Sequence, residues 1–380
     1  MRQILNWVIR LMRFCMARQV KISAYSSPLL KNDTTSNTDI HHGGVTMGVF
    51  HFMGLGRSPG AVTAATSYLA ARYERWNDSD ASFFATSGEF GQEGKRGDVQ
   101  ALVLFTTQEV IDGKQDGLCS DYIENPAGQS RGKAQMGEAM AKVLKRVLPP
   151  DLKRAAGGRD EVALYWCEID RADLRVTFER VARVIYAAKP AGEVGKEIWI
   201  NLTGGSNIVN LALQLAAALL SGPARLYYLR SDNPDCLRHT TPFRDLGTKD
   251  RDHFWVDIPV IYLRLDDATR VILEVLGKAE APLSDDDLLS RLRNDPVAWS
   301  DFVDKKLVDL RRNYLLPMAS QQLVSRVSEH TVTVGQQWAV LKGYYEIVAD
   351  LLRPDSDAET NLTALAQRHA WFREETIVLR

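Results

Sequence analysis

Cysteine is scarce and scattered. Cys15, Cys119, Cys167 and Cys236 are the only four, and no two of them form a CxxC pair. That spacing excludes a zinc knuckle and a disulfide framework, and it fits a reducing, cytoplasmic setting. Net charge is also missing. The formal value is −1 and the pI about 6.7, so no global basic field draws the chain to nucleic acid. Membrane spanning is not expected either. The apolar positions of the first 22 residues recur at helical spacing, but Arg10, Arg13 and Arg18 break the run short of the ~20 residues a span needs. No metal or cofactor is expected.

What remains is an ordinary soluble composition, 45% hydrophobic and 25% charged over 380 residues, enough for two domains. Residues 1–46 read as an N-terminal extension: a surface amphipathic helix, a mobile segment with a linker over Ser26 to Thr46, or residues ahead of a true start at Met47. From Met47 apolar runs alternate with helical patterns, as in an α/β domain extending to Leu265. Strands are expected at Gly48–Met53, Gln100–Thr106, Glu161–Glu168 and Trp255–Leu265, with a weaker one at Ala81–Thr86. Helices are expected over Ala61–Trp76, Lys133–Leu148 and Leu174–Ala188, the first with Ser58 as N-cap and Pro59 at its first position. Ser231–His253 is a long polar loop.

The richest stretch is Glu197–Leu229, EIWINLTGGSNIVNLALQLAAALLSGPARLYYL. It reads as a strand, a glycine turn (Thr203, Gly204, Gly205, Ser206, Asn207), an apolar helix and a parallel strand. In an open parallel sheet, ligands bind at the carboxyl ends of the strands. Glycines admit close backbone approach, and the first turn of a helix offers free N–H groups to an anion. Alone, the turn is as well explained by tight packing. A second strand-to-helix glycine turn, Gly54-Leu55-Gly56-Arg57-Ser58-Pro59-Gly60, adds a guanidinium suited to phosphate. Two such turns in one sheet point to a switch-point crevice. GLGRSPG matches GxG but not GxGxxG, and no acidic residue clearly ends the second strand, so a nucleotide-dependent Rossmann enzyme is a weak alternative.

The GLGRSPG and NLTGGSNIVNLALQLAAALLSGPARLYYL segments resemble the signature regions of CARF domains, the CRISPR-associated Rossmann fold sensors, over roughly residues 47–265. The resemblance implies a homodimer that binds cyclic oligoadenylate second messengers of type III CRISPR systems, with cyclic tetra-adenylate favoured. Carried over by position, Leu55, Gly56, Arg57 and Ser58 would line one wall, and Thr203, Gly204, Gly205, Ser206, Asn207 and Asn210 the other. Thr106 and Thr107, ending a central strand, are added contacts or turn hydroxyls. Many family members have Thr-Lys where this chain has Ser206-Asn207, which leaves N–H groups, hydroxyls and Arg57 to hold phosphate.

After Asp266 the pattern becomes three helices and a hairpin. The helices cover Ala268–Gly277, Leu283–Asn294 (capped at its start) and Trp299–Tyr314, the last with Val303, Leu307, Leu310 and Tyr314 on one face. The hairpin pairs Leu323–His330 with Thr331–Val334. This is the order of a winged helix-turn-helix, closed by a helix over Gln336–Leu352 and followed by a tail over 353–380. The expected fold is thus a Rossmann-like, doubly wound, mainly parallel α/β sheet with a smaller winged-helix domain over 266–352.

A DNA-reading surface would use Lys305, Lys306, Arg311, Arg312 and, in the wing, Arg326. Against it, residues 266–342 hold ten basic and twelve acidic side chains, a net of −2. Despite that balance, the output is read as DNA binding or transcription regulation. The alternative is an effector in which the winged helix couples the sensor to a ribonuclease activity or a protein partner. No catalytic residue identifies itself. Arg326-Val-Ser-Glu-His330 is one residue short of the Arg-x4-His of HEPN ribonucleases, which excludes that class. Arg368, His369, Arg373, Glu374 and Glu375 are the remaining acid–base candidates for RNA cleavage. Self-limiting cleavage of the ligand would need little beyond geometry and charge stabilisation.

Overall fold

The computed structural model describes residues 48–56, 58–75, 80, 83–84, 98–113, 139–157, 159–189, 196–220, 222–230, 254–260, 265, 267–296, 299–353 and 355–379. The N-terminal extension, Arg57 and the loop at 231–253 lie outside them.

Six strands follow in chain order: β1 Gly48–Gly54, β2 Val99–Thr106, β3 Glu161–Glu168, β4 Lys196–Asn201, β5 Arg225–Leu229 and β6 Trp255–Ile258. A seven-stranded sheet forms in the order β10-β3-β2-β1-β4-β5-β6, where β10 is Phe372–Val378 near the carboxyl end. β1 to β5 are mutually parallel, and β6 and β10 run antiparallel at the two edges. The central strands GVFHFMG and VQALVLFT are nearly continuous apolar runs because both faces of a parallel sheet are covered.

One face carries α1 Gly60–Glu74, α3 Met140–Val147 and α4 Pro149–Ala155, and Val62, Leu69, Leu144 and Leu152 are buried there. The short α2, Gln108–Asp112, follows β2. The other face carries α5 Leu174–Ala188 and α6 Asn207–Leu220, which bury Phe178, Val181, Ala212 and Leu213. The sheet is therefore α/β, mostly parallel and doubly wound. Pro59, in helical conformation, is the N-cap of α1, one residue later than expected, and Ser58 Oγ accepts from the Gly60 N–H at 3.3 Å. Phe83 and Phe84, inside the weak strand expected at 81–86, are helix and turn instead, and both rings are packed among Tyr68, Tyr73 and Trp255.

The second set of elements is α7 Asp267–Lys278, β7 Leu283–Ser284, α8 Asp285–Arg293, α9 Trp299–Phe302, α10 Leu307–Leu310, a π-helical turn Arg311–Leu315, α11 Leu316–Ser320, β8 Val324–Ser328 and β9 Thr331–Val334. The strands form a small antiparallel sheet in the order β7-β9-β8. Ser284 caps α8 by accepting from the Asp287 N–H at 3.0 Å. The single helix expected over Trp299–Tyr314 is not continuous. It breaks at Val303–Lys306 and restarts at Leu307, where Asp309 accepts from the Lys306 N–H at 3.0 Å. The wider turn just before Pro317 suits a residue that cannot donate to the helical ladder.

Two expectations for the carboxyl end are corrected. Residues 353–380 are not a tail. They supply α13 Leu362–Arg368 and then β10, which pairs along the whole of β3 and buries Phe372 flat against Tyr165, centroids 5.4 Å apart. Nor does α12, Gln336–Leu352, belong to one module. Seventeen residues span about 25 Å. Trp338 and Leu341 join the core of the second element set, while Tyr344, Val348 and Leu351 join the core under α5 and α6, with Tyr345 in both.

Candidate ligand site at the switch point

Chain order reverses between β1 and β4, so the turns after these two strands flank the switch point. They touch backbone to backbone. A Cβ on Gly204 would lie 2.0 Å from the Ala61 Cβ, and one on Gly54 would lie 2.6 Å from the Gly204 carbonyl. Gly205 has φ +87°, a conformation that favours glycine. Asn201, buried at the end of β4, holds the junction together. Its Nδ2 donates to the Ala61 carbonyl at 3.2 Å, and its Oδ1 accepts from the Thr203 N–H at 2.8 Å.

Beside this junction is a hollow of about 190 Å³. Loops from four strand ends line it: Leu55 and Gly56 after β1; Thr106, Thr107 and Val110 from β2 and α2; Ile169 and Arg171 after β3; Gly205, Ser206 and Val209 after β4. Six residues singled out from sequence thus face one space: Leu55, Gly56, Thr106, Thr107, Gly205 and Ser206. The others have different places. Thr203 accepts the Leu229 N–H on its Oγ1 at 2.7 Å, and Asn210 Nδ2 donates to the Leu202 carbonyl at 3.2 Å, so both brace the turn from behind. Gly204 sits against α1, and Ser58 serves the start of that helix. Asn207 is exposed on the first turn of α6, and Arg57 is outside the described residues.

Polar atoms in the hollow are underused. Thr106 is 1% exposed, and its Oγ1 has no hydrogen-bond partner. A buried hydroxyl without a partner costs free energy, on the order of 1–3 kcal/mol. Thr107 Oγ1 is also buried and makes no hydrogen bond of good geometry, though it lies near enough to Glu109 to hold that carboxyl below its usual range. Ser206 Oγ accepts from the Val209 N–H at 3.4 Å and so caps α6. Leu55, Val110, Ile169 and Val209 provide an apolar wall.

Sequence reasoning missed Arg171. It sits in the loop between β3 and α5, a segment with no glycine turn to draw notice, and is the charged residue among those lining the hollow. Asp170 Oδ1 accepts from the Ala172 N–H at 2.8 Å, and Thr177 Oγ1 donates to the Asp170 carbonyl at 2.6 Å, which fixes that loop.

His51, in the middle of β1, is not part of the site. It is buried against Trp199, its Nδ1 lies 3.1 Å from the Tyr227 hydroxyl, and burial drives its pKa down to about 3.

The basic residues assigned to nucleic acid divide into two groups. Arg311 Nε binds Asp285 Oδ2 at 2.6 Å, and Arg326 lies 3.6 Å from the same oxygen. Asp285 is fully buried, so these two guanidinia neutralise an internal carboxylate and are not free for phosphate, contrary to expectation. Lys305, Lys306 and Arg312 make no ion pair among the described residues, and Lys306 and Arg312 are exposed. Their surroundings are mixed, since Val308 (63% exposed) and Leu316 (56% exposed) stand on the same helical segment.

The acid–base candidates near the carboxyl end are each engaged in holding β10 and α13 in place. Arg368 binds Asp357 and Glu359, His369 Nε2 lies 3.0 Å from Glu359, and Arg373 donates to Gln108. Glu374 accepts from the Tyr165 hydroxyl, and Glu375 pairs with Lys145 at 2.7 Å. Arg373, Glu374 and Glu375 line one open hollow of about 380 Å³ with Thr363 and Gln367, whereas Arg368 and His369 turn to Asp357 and Glu359.

No family model matches the chain. An uncharacterized protein of Archaeoglobus fulgidus is 29% identical over 191 residues, which cover 48% of this chain and 57% of that one. This chain therefore spans little more than half the length of that relative. Among solved structures, Enterococcus italicus Csm6 bound to cyclic hexa-2'-fluoro-hexa-dAMP overlays with TM-score 0.34 and 12% identity, over 85% of this chain and 63% of that one. An overlap that slight does not equate the two folds. No helix among the described residues is long and apolar enough to cross a membrane.

Proposed function

We propose that the chain is a CARF-type sensor of a cyclic oligoadenylate, working as a cytoplasmic homodimer in type III CRISPR signalling. The observation that carries this reading is the hollow at the switch point. Four strand-end loops converge there on a buried, unpartnered Thr106 hydroxyl, beside the amino end of α6. N–H groups and hydroxyls suit phosphodiesters, and the Leu55, Val110, Ile169 and Val209 wall suits adenine. A space of about 190 Å³ is too small for a ring of several nucleotides. Two copies facing across a two-fold axis would supply a symmetric site, which suits an even-membered ring, and of these we favour cyclic tetra-adenylate.

The second element set is read as a winged helix: α7, β7, α8, the α10–α11 segment, β8 and β9, with the small sheet in the order β7-β9-β8. As output we favour duplex DNA binding through Lys305, Lys306 and Arg312. Ligand would change the output by binding one relative orientation of the protomers better than the other. One observation favours the other reading, an effector whose winged helix meets a protein partner or a ribonuclease activity: Val308 and Leu316 are exposed where a DNA reader would present polar groups.

Calorimetry with cyclic tri-, tetra- and hexa-adenylate tests the input, and absence of binding by all three removes it. Titration of duplex DNA at rising salt tests the output, since a DNA reader loses affinity steeply as salt rises. Ligand-dependent RNA degradation without DNA binding would select the effector.

A further inference from the structure

Arg171 is the charged residue lining the hollow, and Glu109 stands just outside that lining, between the lining residues Thr107 and Val110 in sequence. Arg171 is exposed in the β3–α5 loop and makes no ion pair among the described residues. Glu109, exposed in the first turn of α2, follows the lining residue Thr107 by two positions. The two charges are close enough to interact. The Glu109 carboxyl is held below its ordinary range first by the Thr107 hydroxyl and in lesser part by the Arg171 guanidinium. Neither is tied into a structural network of the kind that engages Arg311 or Arg368.

We infer that Arg171 grips one phosphate of the ligand and that Glu109 makes the site selective for phosphodiesters over terminal phosphates. The inference rests on the proposed nucleotide-sensing reading. A guanidinium matches phosphate oxygens in a two-pronged geometry and stays charged at all relevant pH. One positive and one negative charge leave the rim neutral. A phosphodiester brings a single negative charge, whereas a phosphomonoester brings about 1.5 to 2 at pH 7 and meets a larger repulsion from the Glu109 carboxylate. The buried Thr106 hydroxyl then supplies an uncharged hydrogen bond deeper in the hollow. A sensor built this way would respond to a closed ring and ignore opened products that carry a phosphate at one end.

The test uses full-length wild type, Arg171→Gln, Arg171→Lys and Glu109→Gln, each titrated calorimetrically with cyclic tetra-adenylate and with linear tetra-adenylate bearing a 5′-phosphate. Arg171→Gln should weaken binding of both by about 10- to 100-fold, with Arg171→Lys recovering part of it. Glu109→Gln should improve the linear ligand about fivefold while changing the ring less. Unchanged affinity in Arg171→Gln would remove Arg171 from the site and leave the sensing reading intact. Equal effects of Glu109→Gln on both ligands would remove the selectivity. If wild type binds neither oligoadenylate, long-chain inorganic polyphosphate, whose inner phosphates each carry a single negative charge, separates the two claims. Binding of it that Arg171→Gln abolishes keeps the phosphate grip and discards the nucleotide, and no binding overturns both.

Discussion

Gly205 and Gly54 meet backbone to backbone across the switch point, and a Cβ on Gly205 would sit 2.7 Å from the Gly54 Cα. The glycines of the two turns therefore make room for each other. Gly205 also has φ +87°. Gly205→Ala should thus cost about 2–3 kcal/mol in chemical denaturation. A cost below ~0.5 kcal/mol would show that the turns are not in contact.

Arg311 and Arg312 are neighbours with opposite roles. Arg311→Ala leaves the buried Asp285 carboxylate with only the more distant Arg326 guanidinium and should lower stability by about 2–4 kcal/mol, read by thermal unfolding. Arg312→Ala should leave stability within ~0.5 kcal/mol and, if the module reads DNA, reduce the salt slope of binding by about one. Equal stability effects would contradict the division.

His51 gives the fold a built-in acid sensitivity. Its pKa is about 3 when buried against the ordinary 6.5 in the unfolded chain, so between those values the unfolded state holds more protons. The stabilisation is present above pH 6.5 and is lost as pH falls toward 3. Between pH 6.5 and 5 the loss should approach ~2 kcal/mol. His51→Gln should flatten that segment of the stability curve, and a curve with the wild-type slope would assign the sensitivity elsewhere.

Phe372 anchors the returning edge strand. Phe372→Ala should cost about 3–5 kcal/mol, measured by urea denaturation. A chain ending at Arg353 should aggregate, because β3 would become an uncovered apolar edge. A monodisperse truncated chain would contradict this.

The central strands and both glycine turns were legible because buried parallel strands read as apolar runs and tight turns as glycine. β10 was not, since FREETIV carries charge on an edge strand and its apolar residues are few. Arg171 was hidden for a related reason: nothing in Ile169-Asp170-Arg171-Ala172 marks a strand end as a rim until β2 and β3 are seen side by side. The pairing of Arg311 and Arg326 with Asp285 joins residues far apart in the chain, and a basic residue looks the same in sequence whether it faces solvent or a buried acid.

The helix shared by the two cores limits how this protein can be taken apart. Gly343 lies against the Arg175 guanidinium and Tyr344 meets Phe178 edge-on at 4.9 Å, both in the opening turns of α5, four to seven residues beyond Arg171. A cut at Asp266 would leave α5 with a bare apolar flank, and a replacement output grafted there would have to bring its own cover for it. The two cores share α12, and α5, the helix it packs on, starts three residues beyond Arg171 at the rim of the hollow.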